Sequence, residues 1–233
     1  MLDSITSFET LSPLLLPLSW VFLYLAGIIL LAEGLNRITT TDAEVTRKVV
    51  HIGSGNVILL AWWLNIPAWI GIGAAIIAGF IALFSYFIPI LPSINSVGRQ
   101  SLGTFFYAIS MGVLIAWFFN INQPQYAAIG ILVMAWGDGM AAIIGQNWGK
   151  HPYQVFGSKK SWEGSLAMTV VSFLVTSLVL LGVEGNIWQT WFIALAVAII
   201  ATSLETFSKL GVDNLTVPLG SAAISFFLIQ VLL

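Results

Sequence analysis

From Val49 to Leu91 the chain runs for 43 residues without an aspartate, glutamate, lysine or arginine, and His51 is its one histidine. A helix crosses the hydrocarbon core of a bilayer in about 20 residues at 1.5 Å each. A run of about 65 Å is twice that thickness and must fold back. Asn65-Ile66-Pro67 supplies the break, because proline ends one helix and opens the next. Composition extends the argument to the whole chain. Of 233 residues, 58% are hydrophobic and only 8% are charged, against about 25% in soluble domains. So few charges cannot clothe a water-soluble surface, and the mean hydropathy of +0.96 agrees. An all-α, polytopic membrane bundle is the expected fold, a single domain over residues 1–233.

Eight spans are expected, at about 13–32, 49–64, 67–88, 102–119, 125–145, 164–183, 187–206 and 215–233, with further breaks at Asn120 to Pro124 and at Glu184-Gly185-Asn186. The eight Lys and Arg residues sort cleanly. Arg37, Arg47, Lys48, Arg99, Lys150, Lys159, Lys160 and Lys209 all fall in alternate connections, and none lies in the hairpin turns or the termini. The positive-inside rule makes their face cytoplasmic and leaves both termini outside. Met1 to Ser12 carries Asp3 and Glu9 but no cation, unlike a secretory or transit peptide, which suits a bacterial-type membrane. The sequon Asn214-Leu215-Thr216 would face the cytoplasm and is set aside. A net charge of −2 with no basic arm argues against nucleic acid. The absence of cysteine excludes disulfides and thiolate chemistry. Composition assigns no oligomeric state.

Ionisable groups at membrane depth need a reason. Asp138, between Gly137 and Gly139, lies about 10 Å inside the cytoplasmic end of the fifth span, where a carboxylate requires a cation, several donors or water. A polar residue at a helix break is the plainer alternative. The connection after it, Gly145 to Ser165, holds glycines, hydroxyls and the pair Lys159-Lys160. Polyphosphates are bound by such cations and by helix N-termini; headgroup anchoring is the alternative for the lysines. Ser161 is placed to cap the sixth span, and Glu163 to complement its dipole. The spacing does not fit a Walker A loop. Arg47-Lys48-Val-Val-His51 opens the second span, with Arg47 and His51 on one helical face. Glu205 closes the seventh span, and Asp213-Asn214 precede the eighth, where either residue would serve as an N-cap. All these groups belong to one membrane face. A transporter needs polar lining to the far side, so the asymmetry favours an enzyme with a cytoplasmic substrate and a lipid partner entering sideways.

Gly137-Asp138-Gly139 to Gly145 with Trp148-Gly149-Lys150, followed by Ser158-Lys159-Lys160-Ser161-Trp162-Glu163-Gly164-Ser165, resembles the central motif shared by phosphatidate cytidylyltransferases and the phytol and dolichol kinases. Arg47-Lys48-Val-Val-His51 and Asp213-Asn214-Leu215-Thr216-Val217-Pro218 resemble the two outer elements of the phytol kinase branch, and the C-terminal cytidylyltransferase signature is missing. The similarity covers about residues 47 to 218. It implies CTP-dependent phosphorylation of a long-chain isoprenoid alcohol, phytol foremost, with a divalent metal such as Mg²⁺, feeding tocopherol and related prenyl-lipid synthesis in photosynthetic organisms.

Phosphoryl transfer rests on positioning and charge neutralisation. In that frame Asp138, with Asp213 or Glu205, holds Mg²⁺ against the triphosphate. Lys159 and Lys160, helped by Arg47 and Lys48, neutralise phosphates, with Ser161, Glu163 and Asn214 beside them. His51, Glu205 or Asp138 is the base. A cytidylyltransferase making a CDP-activated lipid is the second reading, and a transporter or scaffold the third.

Overall fold

The computed structural model describes residues 2–38, 43–87 and 102–233. Arg99 and the side chains of Asp3 and Glu9 lie outside the described residues. Helices dominate: α1 (Leu2–Ile38), α2 (Ala43–Gly55), α3 (Val57–Trp63), α4 (Ala68–Phe87), α5 (Gly103–Leu114), α6 (Pro124–Leu132), α7 (Gly139–Trp148), α8 (Trp162–Val183), α9 (Trp188–Thr206) and α10 (Asp213–Leu232). A β-hairpin, β1 (Pro152–Val155) and β2 (Ser158–Ser161), interrupts the helices before α8.

Six helical stretches are long and apolar enough to cross a membrane, and the apolar helix Gly103–Phe119 is shorter. The large apolar residues on the outside, among them Phe22, Ile77, Phe80, Leu178, Ile199 and Phe227, face where lipid rather than water would lie. The chain is a multi-pass integral membrane protein.

Three connections are tight. Asn65 (φ 51°), Asn122 (φ 55°) and Gly185 (φ 83°) take the left-handed conformation just past helix ends, which lets the chain reverse within a few residues. Pro124 then starts α6 at its first helical position, where the missing N–H costs nothing.

The expected helix at 49–64 differs in two ways. It begins at Ala43, and it is divided between Gly55 and Val57 at Asn56. Asn56 has a use for the break: its Oδ1 accepts a hydrogen bond of 2.8 Å from Trp136 Nε1.

Pro124–Trp148 forms the axis of the bundle. Tyr126 to Ala135 are buried without exception, and α5, α8 and α10 pack around this rod, with α9 packed on α8 and α10. Two stretches widen to π-helix, Ile115–Phe119 and Val133–Asp138. Such turns are rare and frequent near functional sites, and the second one ends on Asp138.

Candidate active site

The axial rod carries Asp138 to its position, and the flanking glycines let two helices close on either side. An added Cβ at Gly137 would fall 2.7 Å from Met168 Sδ and 2.8 Å from Ser172 Oγ, both on α8, and one at Gly139 would fall 2.7 Å from Ile52 Cδ1 on α2. Both glycines are therefore used for helix approach.

α2 meets the rod with its polar face. Lys48 Nζ forms an ion pair with Asp138 Oδ2, and Lys48 is among the most buried charged residues described, at 4% exposure. His51, one turn further on, places Nε2 3.9 Å from the same carboxylate oxygen. Arg47 contributes its charge to both His51 and Asp138. α1 backs this arrangement, with Tyr24 Oη donating to the Gly53 carbonyl at 3.0 Å.

The second half of the site comes from the hairpin. Phe156 (φ 47°) and Gly157 (φ 83°) form a turn with two left-handed residues, the geometry that matches strand twist. Strand alternation then separates the two adjacent lysines. Lys160 points inward and donates to both the carboxylate and the backbone carbonyl of Glu205. Tyr153, directly across from Lys160, shares its face. Its hydroxyl lies 2.5 Å from Ser165 Oγ on α8 and 3.5 Å from Thr206 Oγ1 on α9. Lys159, paired with Gln154, is exposed on the other face and has no bond among the described residues. Both lysines are expected at one site, and the strand instead places them on opposite faces of the hairpin, with Lys160 against Glu205.

The start of α8 is closed by its own neighbours. Ser161 Oγ accepts from Gly164 N at 3.1 Å, an N-cap. Glu163 accepts from His151 N (3.3 Å) and pairs with His151 Nδ1 (2.7 Å). Ser161 and Glu163 thus tie the hairpin base to α8. At the start of α10 neither Asp213 nor Asn214 acts as an N-cap; that position belongs to Val212. Asp213 Oδ1 accepts from Asn214 N at 3.1 Å and from Asn214 Nδ2 at 3.3 Å, and Asn214 Nδ2 also approaches the Gly211 carbonyl. No cation pairs with Asp213 among the described residues.

These pieces form one neighbourhood. The charge of Asp138 reaches both Glu205 and Asp213, and Asp213 also feels Lys160 and Lys48. Arg47, Lys48 and Lys160 thus stand against Asp138, Glu205 and Asp213, drawn from α2, the hairpin, the axial rod, α9 and the start of α10. Among the described residues no three His, Asp or Glu side chains approach closely enough to make a metal cage. Magnesium does not need one: it is held by one or two carboxylates together with substrate phosphates. The sequence reading missed Tyr153 and Tyr107. Tyr153 was hidden by the unrecognised hairpin, for which the Phe156-Gly157 turn between two equal strands was the available signal. Tyr107 sits in an ordinary apolar helix, and nothing nearby in sequence marked it.

Residues 6–207 match the Cytidylyltransferase family. The chain is 54% identical over 223 residues to a phytol kinase of Synechocystis sp., covering 94% of this chain and 95% of that protein. It is 30% identical to the chloroplastic phytol kinase 1 of Arabidopsis thaliana, over 84% of this chain and 70% of that one. It is also 28% identical to the chloroplastic farnesol kinase of Arabidopsis thaliana, over 80% of this chain and 66% of that one. No solved structure matches it. A buried Lys48–Asp138 pair, a second lysine delivered to Glu205 and a nearby Asp213 at one end of an apolar bundle are therefore the equipment of a chain that belongs to the cytidylyltransferase family, in its phytol kinase branch.

Proposed function

We propose that this protein is a CTP-dependent kinase that phosphorylates phytol, a membrane isoprenoid alcohol, at the cytoplasmic face of a cyanobacterial-type membrane, supplying phytyl phosphate for tocopherol and related prenyl lipids. The 54% identity to a phytol kinase along nearly the whole of both chains carries this reading. The geometry is consistent with it, since the ionisable cluster lies at the end of the bundle that holds the Lys48–Asp138 and Lys160–Glu205 pairs, while apolar helices flank it for a lipid tail.

The chemistry follows from the charges. With Lys48 and Lys160 already paired to Asp138 and Glu205, a triphosphate adds negative charge that the protein alone does not offset. Asp213, which has no paired cation among the described residues, together with Asp138 would hold Mg²⁺, and the ion would neutralise developing phosphate charge. Lys160 and Lys48 are the point charges for phosphate oxygens, with Arg47 behind them, and each would share its hydrogen bonds between carboxylate and phosphate. The buried position of Lys48 and the part-buried one of Lys160 strengthen those contacts relative to water. Ser161 and Glu163 hold the hairpin base, so that Lys160 meets the donor on a fixed frame. Of the candidate bases, His51 is the one not engaged in an ion pair with lysine.

Detergent-purified protein incubated with phytol and CTP labelled at either the γ- or the α-phosphate tests the reaction class. Label from the γ position on the lipid, with a product mass of phytyl monophosphate, is the expected result. Label from the α position would identify a cytidylyltransferase, and no labelled lipid would return the chain to transport or scaffolding.

A further inference from the structure

The acceptor side of this reaction calls for a group that fixes the alcohol oxygen, and the structure offers one that the motifs do not contain. Tyr107, on α5, packs its ring against His51, on α2, with centroids 4.5 Å apart and planes inclined by 39°. Tyr107 is 7% exposed. Its phenolic oxygen and His51 Nε2 are both buried, and neither has a hydrogen-bond partner among the described residues. Buried polar side chains nearly always find a partner, and leaving one without costs about 1–3 kcal/mol. Two such atoms on touching rings, both within the field of Asp138, mark a polar niche in an otherwise apolar wall.

The backbone is shaped around this niche. A Cβ at Gly55 would fall 2.6 Å from the Tyr107 hydroxyl and 2.4 Å from Ala135 Cβ, so only glycine lets the phenol oxygen lie against α2. His51 Nε2 is 3.9 Å from Asp138 Oδ2, beyond hydrogen-bonding range. A neutral ring that carries its proton on Nδ1 presents Nε2 as an acceptor.

We propose that the Tyr107 hydroxyl and His51 Nε2 together bind the hydroxyl of the acceptor, a primary alcohol on a long apolar chain. The phenol donates to the alcohol oxygen, and the alcohol O–H donates to Nε2. In the transfer, the alcohol oxygen bonds to the γ-phosphorus and the bond from that phosphorus to its bridging oxygen breaks. The nucleoside diphosphate leaves with the electron pair, and the alcohol proton passes to Nε2. This rests on the kinase reading above and adds Tyr107 to it as a substrate-orienting residue.

Tyr107→Phe keeps the ring on His51 and removes only the oxygen. With phytol as the varied substrate at saturating CTP, kcat/KM should fall at least tenfold, while the KM for CTP stays at the wild-type value and the melting temperature stays at or above it. The double variant His51→Gln/Tyr107→Phe should be no more than about twofold below His51→Gln alone, because both groups act on one hydroxyl. Failure of the wild-type protein to phosphorylate phytol overturns the kinase reading itself. Wild-type phosphorylation with unchanged phytol kinetics in Tyr107→Phe overturns the niche alone, as does an equal rise in KM for both substrates. Should Tyr107→Phe lose its thermal transition, 3-fluorotyrosine at position 107 keeps the size and acidifies the phenol. A changed phytol KM then supports the proposal, and an unchanged one ends it.

Discussion

The two ends of the helical bundle are built by different rules. At the end with the turns Asn120 to Pro124 and Glu184 to Ile187, most side-chain bonds reach groups four or five residues away. Asn120 Nδ2 donates to the Ala116 carbonyl, Thr190 Oγ1 to the Gly185 carbonyl and Trp191 Nε1 to Asn186 Oδ1. At the end with Asp138, the bonds join residues far apart in sequence: Lys48 with Asp138 across 90 positions, Tyr153 with Thr206 across 53, and Lys160 with Glu205 across 45. The first end satisfies mainly local polar groups, with one longer bond from Gln189 Nε2 to the Leu232 carbonyl at 3.4 Å. The second holds opposite charges at membrane depth, an arrangement that costs stability unless every partner is in place, and such costs gather at functional sites.

That contrast predicts a graded series of outcomes. Asp138→Asn should lower phosphoryl transfer by about three orders of magnitude and destabilise the fold by about 3–5 kcal/mol, because Lys48 is left buried and unpaired. Lys48→Met/Asp138→Leu should recover most of the thermal stability and none of the turnover, measured by melting and product formation on the same preparation. A recovery of activity in that double variant would show that the pair is only structural.

Lys160→Met should reduce turnover by about a hundredfold, raise the KM for the nucleotide and also lower stability, because Glu205, at 8% exposure, is left without its cation. Tyr153→Phe removes the bridge that holds the hairpin to α8 and α9. It should cost about 1 kcal/mol and raise the nucleotide KM several-fold, with the phytol KM unchanged. The adjacent Lys159→Ala should leave both kinetic constants within about twofold of wild type, since a surface change of this kind has little energy to lose. At the far end, Asn186→Ala should cost no more than about 1 kcal/mol of stability and leave turnover unchanged. A clear loss of activity there would mean that the local end is coupled to the chemistry after all.

Much of this contrast was legible in the chain itself. The uncharged run through His51 required a membrane reversal, and Asn65, Pro67, Asn122, Pro124 and Gly185 marked turns by their own backbone preferences. The small set of charges placed Asp138, Lys48, Lys160, Glu205 and Asp213 at one end by their order along the chain alone. Less legible were features that depend on pairing. The division of the helix at Asn56 depends on Trp136, 80 positions away. The separation of Lys159 from Lys160 depends on a hairpin only four residues per strand, too short for periodicity to reveal. The glycines beside Asp138 read equally as room for a ligand and as room for a helix, and only the positions of Met168, Ser172 and Ile52 decide for the helix.

The sequence by itself determined that the protein lives in a bilayer, where it turns, and which few side chains must find partners there, because hydrocarbon penalises every exposed charge and every unpaired backbone group. The tertiary structure decided which partner each one found. Lys48 went to Asp138, Lys160 to Glu205, Asp213 to no cation among the described residues, and Tyr107 to the side of His51, because pairing is a matter of ångströms between distant segments. That distance is set by helix packing and strand register and leaves no local trace in the order of residues.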